Sequence, residues 1–309
     1  MTSPPQSDVP ATQKPDPTTI GIGQVLDLGR QKKPGLRHIV DFRHVAKTYN
    51  VGQSNEFTAI RDVNFFVEDL PGKGEFICVL GPSGCGKSTI LRLIAGLPPQ
   101  HPATEGDVLV LDQPVAGPGA DRGMVFQDYT SFDHRTVLEN ITFGLECMGV
   151  PRARRCDLGR RWIEHVGLDE KTDQDKYPHE LSGGMRQRVA IARTLILRPK
   201  IILMDEPFGA LDPQTRMNMQ DLLVSLWREV EATVFFVTHS IEEAVFLGDR
   251  VYIMGRCPGT ILQELKVEPA DRPARLMQKE PRFQETVNYI RDLISRLEGQ
   301  PVGHTALPG

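Results

Sequence analysis

Gly81, Pro82, Ser83, Gly84, Cys85, Gly86, Lys87, Ser88 and Thr89 follow the pattern G-x-x-x-x-G-K-[ST]. That spacing is chemistry for a phosphate. The glycines let the backbone wrap closely around an anion and turn its N–H groups inward. Lys87 adds a point charge suited to the β- and γ-phosphates of a nucleotide, and the Ser88 hydroxyl is an oxygen ligand for Mg²⁺. The apolar run Phe76–Leu80 before the loop and the helical stretch Ser88–Leu97 after it separate the loop from a chance Gly-rich turn. The helix start contributes its positive dipole end. Cys85 sits inside this positive field, which predicts a depressed thiol pKa. The plainer role, and the one the sequence favours, is a small residue tolerated by the turn.

A second centre follows another apolar run, Ile201–Met204, which ends in Asp205, Glu206 and Pro207. Acids at the C-terminal edge of a strand stand where α/β sheets bind ligands. Adjacent carboxylates at the end of a buried strand need a cation to offset them. Asp205 is therefore a Mg²⁺ ligand, through water, and Glu206 a group that polarises an attacking water. The alternative for both is a solvated strand end. A third centre is Leu181-Ser-Gly-Gly-Met-Arg-Gln-Arg188, where Ser182 is a good helix N-cap and Gly183 and Gly184 leave N–H groups open to an anion.

The run LSGGMRQR closely resembles the signature of ATP-binding-cassette (ABC) ATPases, and other motifs match in order. Tyr49, in Lys47-Thr-Tyr, resembles the aromatic that stacks on adenine. Gln127, in Val125-Phe-Gln-Asp, resembles the Q-loop glutamine. Asp212, in Ala210-Leu-Asp, resembles the D-loop acid, and His239, in Val237-Thr-His-Ser, the switch histidine. The resemblance implies that ATP is bound by residues 81–89 together with Tyr49, Gln127, Ser182, Gly183, Gly184 and Asp212. It implies that Ser88, Gln127 and Asp205 hold Mg²⁺, and that Glu206, His239, Lys87 and Gln127 carry the hydrolysis. Each lesser motif has a plainer alternative: Tyr49 as an edge-strand aromatic, Gln127 as a strand-end polar group, His239 as the N-cap of a helix starting near Ile241.

The elements that position these residues alternate. Ile39–Val45 and Phe57–Glu68 show strand-like alternation, and further buried strands are predicted at Val108–Leu111, Gly123–Phe126, Ile201–Met204, Thr233–Val237 and Arg250–Met254. Helices are predicted at Val137–Met148, Arg154–Val166, Gly184–Leu197, Pro213–Glu231 and Ile241–Leu247. Strands alternating with helices give an α/β fold with a mainly parallel core. Residues 128–180 lack a strong strand and read as a helical insertion. The fold class implied is a P-loop NTPase core of ABC type with a helical signature subdomain, about 128–190, and an antiparallel β subdomain. The ABC ATPase domain spans 37–265. Residues 1–36 read as a disordered Pro-rich tail, although Ile20–Leu28 is order-prone and could dock on the body. Residues 266–309 read as one amphipathic helix, over 282–297, and a loose end.

Composition narrows the function classes. With 36 basic and 40 acidic residues the formal charge is −4, and no block of like charge argues for bulk nucleic-acid binding. Arg152, Arg154, Arg155, Arg160 and Arg161 read as a solvated helix face. Hydrophobic residues make up 39%, enough for a packed core. No apolar run reaches the roughly 18 to 20 residues that cross a bilayer, and the polar N-terminus lacks a secretory h-region. Five cysteines, at 78, 85, 147, 156 and 257, form no CxxC pair, which fits a reducing compartment. The expectation is a soluble cytoplasmic chain that reaches a membrane only through a partner.

In the resembled family two such domains pair head to tail, the phosphate loop of one sharing ATP with the signature of the other. With one loop and one signature this chain needs a second ABC ATPase chain, either itself or a close paralogue. Two functions follow: the ATPase subunit of a membrane transporter, or a soluble ABC ATPase acting on a nucleic-acid or protein complex. The long coiled-coil insertion of the DNA-repair type and the paired cassettes of the ribosome type are absent from the sequence. His239–Met254, Pro258-Gly-Thr-Ile, Thr136–Ile141 and Pro281–Phe283 resemble the nitrate/sulfonate/taurine-type importer ATPases. That resemblance implies permease subunits, indirectly a solute-binding protein, and a peripheral place on the cytoplasmic face of the membrane. Asp133-His134-Arg135 departs from that group's usual Pro-Trp. The loop carrying Tyr129, Phe132 and His134 is a candidate socket for a short permease helix. The alternative is that Tyr129 and Phe132 pack under the helical insertion.

Overall fold

The computed structural model describes residues 22–26, 35–70, 72–128, 130–268 and 272–299. In chain order the strands are β1 (Ile22–Leu26), β2 (His38–Tyr49), β3 (Phe57–Glu68), β4 (Phe76–Leu80), β5 (Glu105–Val110), β6 (Gln113–Pro114), β7 (Arg122–Val125), β8 (Ile201–Asp205), β9 (Thr233–Thr238), β10 (Arg250–Met254) and β11 (Ile261–Val267). The helices are α1 (Lys87–Ala95), α2 (Val137–Cys147), α3 (Arg152–His165), α4 (Glu170–Asp173), α5 (Gly183–Leu195), α6 (Pro213–Glu229), α7 (Ile241–Leu247), α8 (Ala274–Met277) and α9 (Pro281–Gly299).

The larger sheet runs β1-β11-β10-β4-β9-β8-β7, parallel from β10 to β7, with β11 and β1 antiparallel at one edge. The strands β10, β4, β9 and β8 are buried at every position because both faces of the sheet are covered. Phe76, Cys78, Leu80 and Phe236 point into one core, with Ala190, Leu223 and Phe246 from α5, α6 and α7. Ile77, Val79 and Phe235 point into the other, with Ile90 and Leu91 of α1 and Phe42 and Phe65 of the second sheet. Each such side chain contributes roughly 1.5–3 kcal/mol by leaving water. The second sheet, β3-β2-β5-β6, is antiparallel. Between β7 and α5 the described residues contain helices and no strand.

Register sets up the site. Leu80 pairs with Thr238 and Asp205 with Val237. The phosphate loop, the acid pair and the His239 turn therefore leave the sheet side by side at its C-terminal edge.

Several expectations change: the predicted buried strand Gly123–Phe126 is the edge strand β7, in which Val125 alone is buried. Val108–Leu111 is not a buried strand of the parallel core. It lies in β5 of the antiparallel sheet, where Val110 alone is buried. Leu111 and Asp112, at φ 52° and 60°, form the two-residue turn into β6, a geometry in which both central residues take positive φ. The Ile20–Leu28 patch contains a strand, β1, paired antiparallel with β11, so the tail is not wholly without structure. The remainder of both termini, residues 1–21, 27–34 and 300–309, lies outside the described residues, as does Tyr129.

Candidate functional site

The phosphate loop is shaped by its glycines. Gly86 takes φ 97°, and a Cβ there would stand 2.4 Å from Ile60 Cγ2 and 3.0 Å from the Ala59 carbonyl oxygen. Gly84, at φ 77°, also needs the left-handed region. At Gly81 a Cβ would meet Cys85 Sγ and Met254 Cβ, each at 3.0 Å. The Cys85 thiol is thus packed inside the turn, 1% exposed. Burial pushes its pKa up, outweighing the opposing charge of Lys87. The expected depression is overturned, and the small-filler role of Cys85 stands.

Lys87 is buried, and its Nζ donates to the carbonyls of Gly81 at 2.9 Å and Pro82 at 3.0 Å. It also lies 3.5 Å from Glu206 Oε1. Ser88 Oγ donates to Asp205 Oδ1 at 2.7 Å. Asp205 is almost fully buried. Burial raises its carboxyl pKa and the Glu206 charge adds to the rise, opposed by the Ser88 hydrogen bond, Arg92 and Lys87. Glu206 sits at φ 43°, an uncommon conformation for a non-glycine residue, and costlier before a proline. Its N–H donates to the Val237 carbonyl at 3.1 Å, which carries the acid past the strand end toward β9. There His239 Nδ1 lies 3.2 Å from Glu206 Oε2. One carboxylate thus bridges the lysine and the histidine.

His239 is not the helix cap. Ser240 is, its Oγ accepting from the Glu243 N–H at 3.2 Å. Asp212 caps α6 by accepting from the N–H groups of Gln214 and Thr215, at 3.1 and 3.0 Å, and the Thr215 side chain, together with those backbone bonds, holds its carboxyl below the ordinary range. Ser182 caps α5 by accepting from the Met185 N–H at 3.3 Å, with Gly183 and Gly184 in the first turn. Tyr49 ends β2, stacked on Phe57 with centroids 6.5 Å apart, and the buried Lys47 ammonium lies 5.5 Å from its ring. Gln127 is exposed in the loop after β7. The contacts gather Lys87, Ser88, Asp205, Glu206 and His239 into one cluster. Tyr49, Gln127, Ser182 and Asp212 stand on separate elements around it.

Four residues of this region, Gln187, Thr238, Glu243 and Arg216, have no role in the sequence reading. Gln187 in α5 is buried and donates to the Pro207 carbonyl at 2.6 Å, tying the signature helix to the Glu206 turn. Glu243 accepts from the Thr238 hydroxyl at 2.6 Å, and Arg216 Nε lies 3.8 Å from it. The available signal was Ser240-x-x-Glu243, a capping-box spacing, but this glutamate turns inward to Thr238. In the loop after β7, Phe132 is half-buried and packs on Phe143 with centroids 4.5 Å apart and under Arg193 at 5.5 Å. Its ring is thus largely engaged in supporting the insertion. Of the arginine run, Arg155 pairs with Glu146, Arg160 with Glu170 and Arg161 with Asp157.

The family described as ABC transporter matches residues 62–209. The nitrate import ATP-binding protein NrtD of Synechocystis is 44% identical over 82% of this chain and 94% of the relative. The taurine import ATP-binding protein TauB of Rhizobium johnstonii is 44% identical over 74% of this chain and 87% of the relative. Among solved structures, a dimeric ATP-binding cassette in a post-hydrolysis state with ADP and Pi is similar with a TM-score of 0.62 and 33% identity, covering 74% of this chain and 99% of that one. The clustered loop lysine, strand-end acids and turn histidine lie in such a cassette here too, and the chain belongs to the ABC transporter family as one of its ATP-binding, ATP-hydrolysing proteins.

Proposed function

We propose that this chain is the ATPase subunit of a membrane importer for nitrate, sulfonates or related small anions, working as a dimer that closes on ATP. The observation that carries this reading is the 44% identity, over nearly the full length of the relative, to a nitrate import ATP-binding protein. The similarity to a taurine import ATP-binding protein supports a small sulfonate as a second candidate solute. The chain takes a peripheral place on the cytoplasmic face of the membrane, held by permease subunits that meet a solute-binding protein on the other side. Among the described residues no helix is long and apolar enough to cross a membrane.

In the proposed site ATP lies along residues 81–89, with its base against Tyr49. Lys87 supplies charge at the β- and γ-phosphates. Ser88 and Asp205 fit a Mg²⁺ site: a hydroxyl and a buried carboxylate 2.7 Å apart are hard oxygen donors. Gln127 is the third candidate ligand. The ion, when bound with ATP, offsets charge on the phosphate oxygens. Glu206 polarises the attacking water, a role that contributes typically 10²–10⁴-fold. His239, 3.2 Å from Glu206, orients that carboxylate and the γ-phosphate. Ser182, Gly183 and Gly184 offer their helix N-terminus to the nucleotide held by a second chain, and Asp212 fixes the turn beside that contact. Closure then draws on γ-phosphate contacts that exist only in the paired state. Gln127 relays occupancy to the helical insertion.

The permease contact is placed at the exposed side of the insertion. His134 and Arg135 line a cleft of about 490 Å³ with Glu146, Arg152 and Arg155. Asp133 and His134 are exposed, so Asp133→Ala with His134→Ala leaves the fold intact. The test is co-purification with the co-expressed permease and ATP-driven uptake of labelled nitrate and taurine into vesicles. The wild-type chain assembles and transports one of them, and the double variant loses both properties while keeping basal ATPase. Failure of the wild-type chain to recover any permease refutes the importer reading.

A further inference from the structure

Thr238 and Glu243 lie on either side of the turn that carries His239, and with Glu206 and His239 they line one small pocket. Thr238 is the last residue of β9 and is 2% exposed; Glu243 lies in the first turn of α7 and is 7% exposed. The Thr238 hydroxyl donates to Glu243 Oε2 at 2.6 Å and accepts from the Ser240 N–H at 3.0 Å. The Ser240 hydroxyl in turn accepts from the Glu243 N–H at 3.2 Å. His239 stands between the two residues of this closed ring, so its backbone is pinned on both sides while its imidazole stays exposed toward Glu206. Arg216 of α6 completes the arrangement. Its Nε lies 3.8 Å from Glu243 Oε1 and its guanidinium donates to the Leu211 carbonyl, next to Asp212. A buried carboxylate is costly unless it is paired and hydrogen-bonded. The expenditure here is placed at the one turn whose side chain must be aimed.

We infer that Thr238 and Glu243 are positioning residues for hydrolysis, holding the His239 turn so that the imidazole meets the Glu206 carboxylate, with Arg216 linking this brace to the Asp212 turn. The inference rests on the proposed role of His239. A misplacement of about 1 Å at a reacting centre costs on the order of 10²-fold, so a loosened turn shows in kcat.

The experiment compares Thr238→Val, Thr238→Ser, Glu243→Ala, His239→Ala and the double variant Thr238→Val/His239→Ala, measuring steady-state ATP hydrolysis and thermal melting. Thr238→Val keeps the volume and removes the hydroxyl. Its kcat is expected to fall about 10- to 100-fold with KM for ATP changed less than about twofold, while Thr238→Ser, which restores the hydroxyl, recovers most of the rate. Glu243→Ala should lower kcat in the same way, and decides the matter if Thr238→Val melts too low to assay. In the His239→Ala background Thr238→Val should have no further effect, because the histidine it positions is gone. A further fall there, or full kcat in both Thr238→Val and Glu243→Ala when His239→Ala is impaired, overturns the positioning role alone. Full kcat in His239→Ala itself overturns the site reading beneath it.

Discussion

Glu206→Gln separates chemistry from binding more cleanly than any other single change in the site. The amide is isosteric and keeps the backbone bond from the Glu206 N–H to the Val237 carbonyl. Lys87 loses an ion pair at 3.5 Å but retains its two carbonyl partners at 2.9 and 3.0 Å, so the phosphate loop holds its shape. Ser88 and Asp205 keep their 2.7 Å bond, and with it the oxygen donors proposed for Mg²⁺. What disappears is the carboxylate that faces the His239 ring and is proposed to polarise the attacking water. A positioned base contributes typically 10²–10⁴-fold, or roughly 2.7–5.4 kcal/mol at about 1.36 kcal/mol per decade. Hydrolysis should therefore fall by two to four orders of magnitude, with ATP binding held within about threefold. Single-turnover hydrolysis gives the chemical step, and light scattering with ATP follows the dimer, which should accumulate because its release step is slowed. Turnover within about tenfold of wild type would refute Glu206 as the base-like group. Loss of ATP binding to the same degree as turnover would refute the division of labour between Glu206 and the Ser88–Asp205 pair.

Two further outcomes are open to direct measurement. Tyr49→Ala should weaken ATP and GTP alike, by roughly 1–3 kcal/mol, since a ring face stacks on any base; calorimetry showing unchanged affinity would leave Tyr49 as the partner of Phe57 alone. Burial, opposed by the Thr238 hydrogen bond and the Arg216 and His239 charges, leaves the Glu243 carboxyl above the ordinary glutamate range. An acid raised on folding loses stability as pH climbs from its unfolded value through the raised one, because the unfolded chain ionises first. Glu243→Gln does not titrate, so its melting temperature relative to wild type should rise across that window, and a gap independent of pH would contradict the raised carboxyl.

The site was largely legible where composition and spacing leave the backbone little choice. The phosphate loop needs glycine at Gly84 and Gly86 because those positions take positive φ, and that requirement is written in residue type. The strand Phe57–Glu68 is legible from its recurrent apolar residues, of which Ile60, Val63, Phe65 and Val67 enter one core. Val108–Leu111 misled for the opposite reason. A short continuous apolar run reads as doubly covered, yet its last residue belongs to a turn and its sheet is open on one side. Cys85 departs from expectation because its burial is a property of the folded turn, where desolvation outweighs the neighbouring Lys87 charge. The Ile20–Leu28 patch reads locally as order-prone, but its pairing as the strand Ile22–Leu26 depends on β11, more than two hundred residues away in sequence.

The brace behind His239 shows why a motif is easier to read than the residues that make it work. Glu206 and His239 are visible because their side chains reach outward to a shared point and their types have few other uses at a strand end. Thr238 and Glu243 reach inward, and each has an ordinary alternative, one as a β-branched strand residue and the other as the last member of a capping box. The fold supplies what distinguishes them: where β9 meets α7 the exposed His239 follows the buried Thr238 and precedes the half-buried Ser240, and the Thr238 hydroxyl meets the Glu243 carboxylate. Glu206 illustrates the same point from the other side. Its φ of 43° is costly for a residue before proline, and the sequence Asp-Glu-Pro alone predicts an extended backbone there. The pairing with Val237 and the Lys87 and His239 contacts hold it where it is, so this conformation belongs to the assembled edge of the sheet and to no local segment.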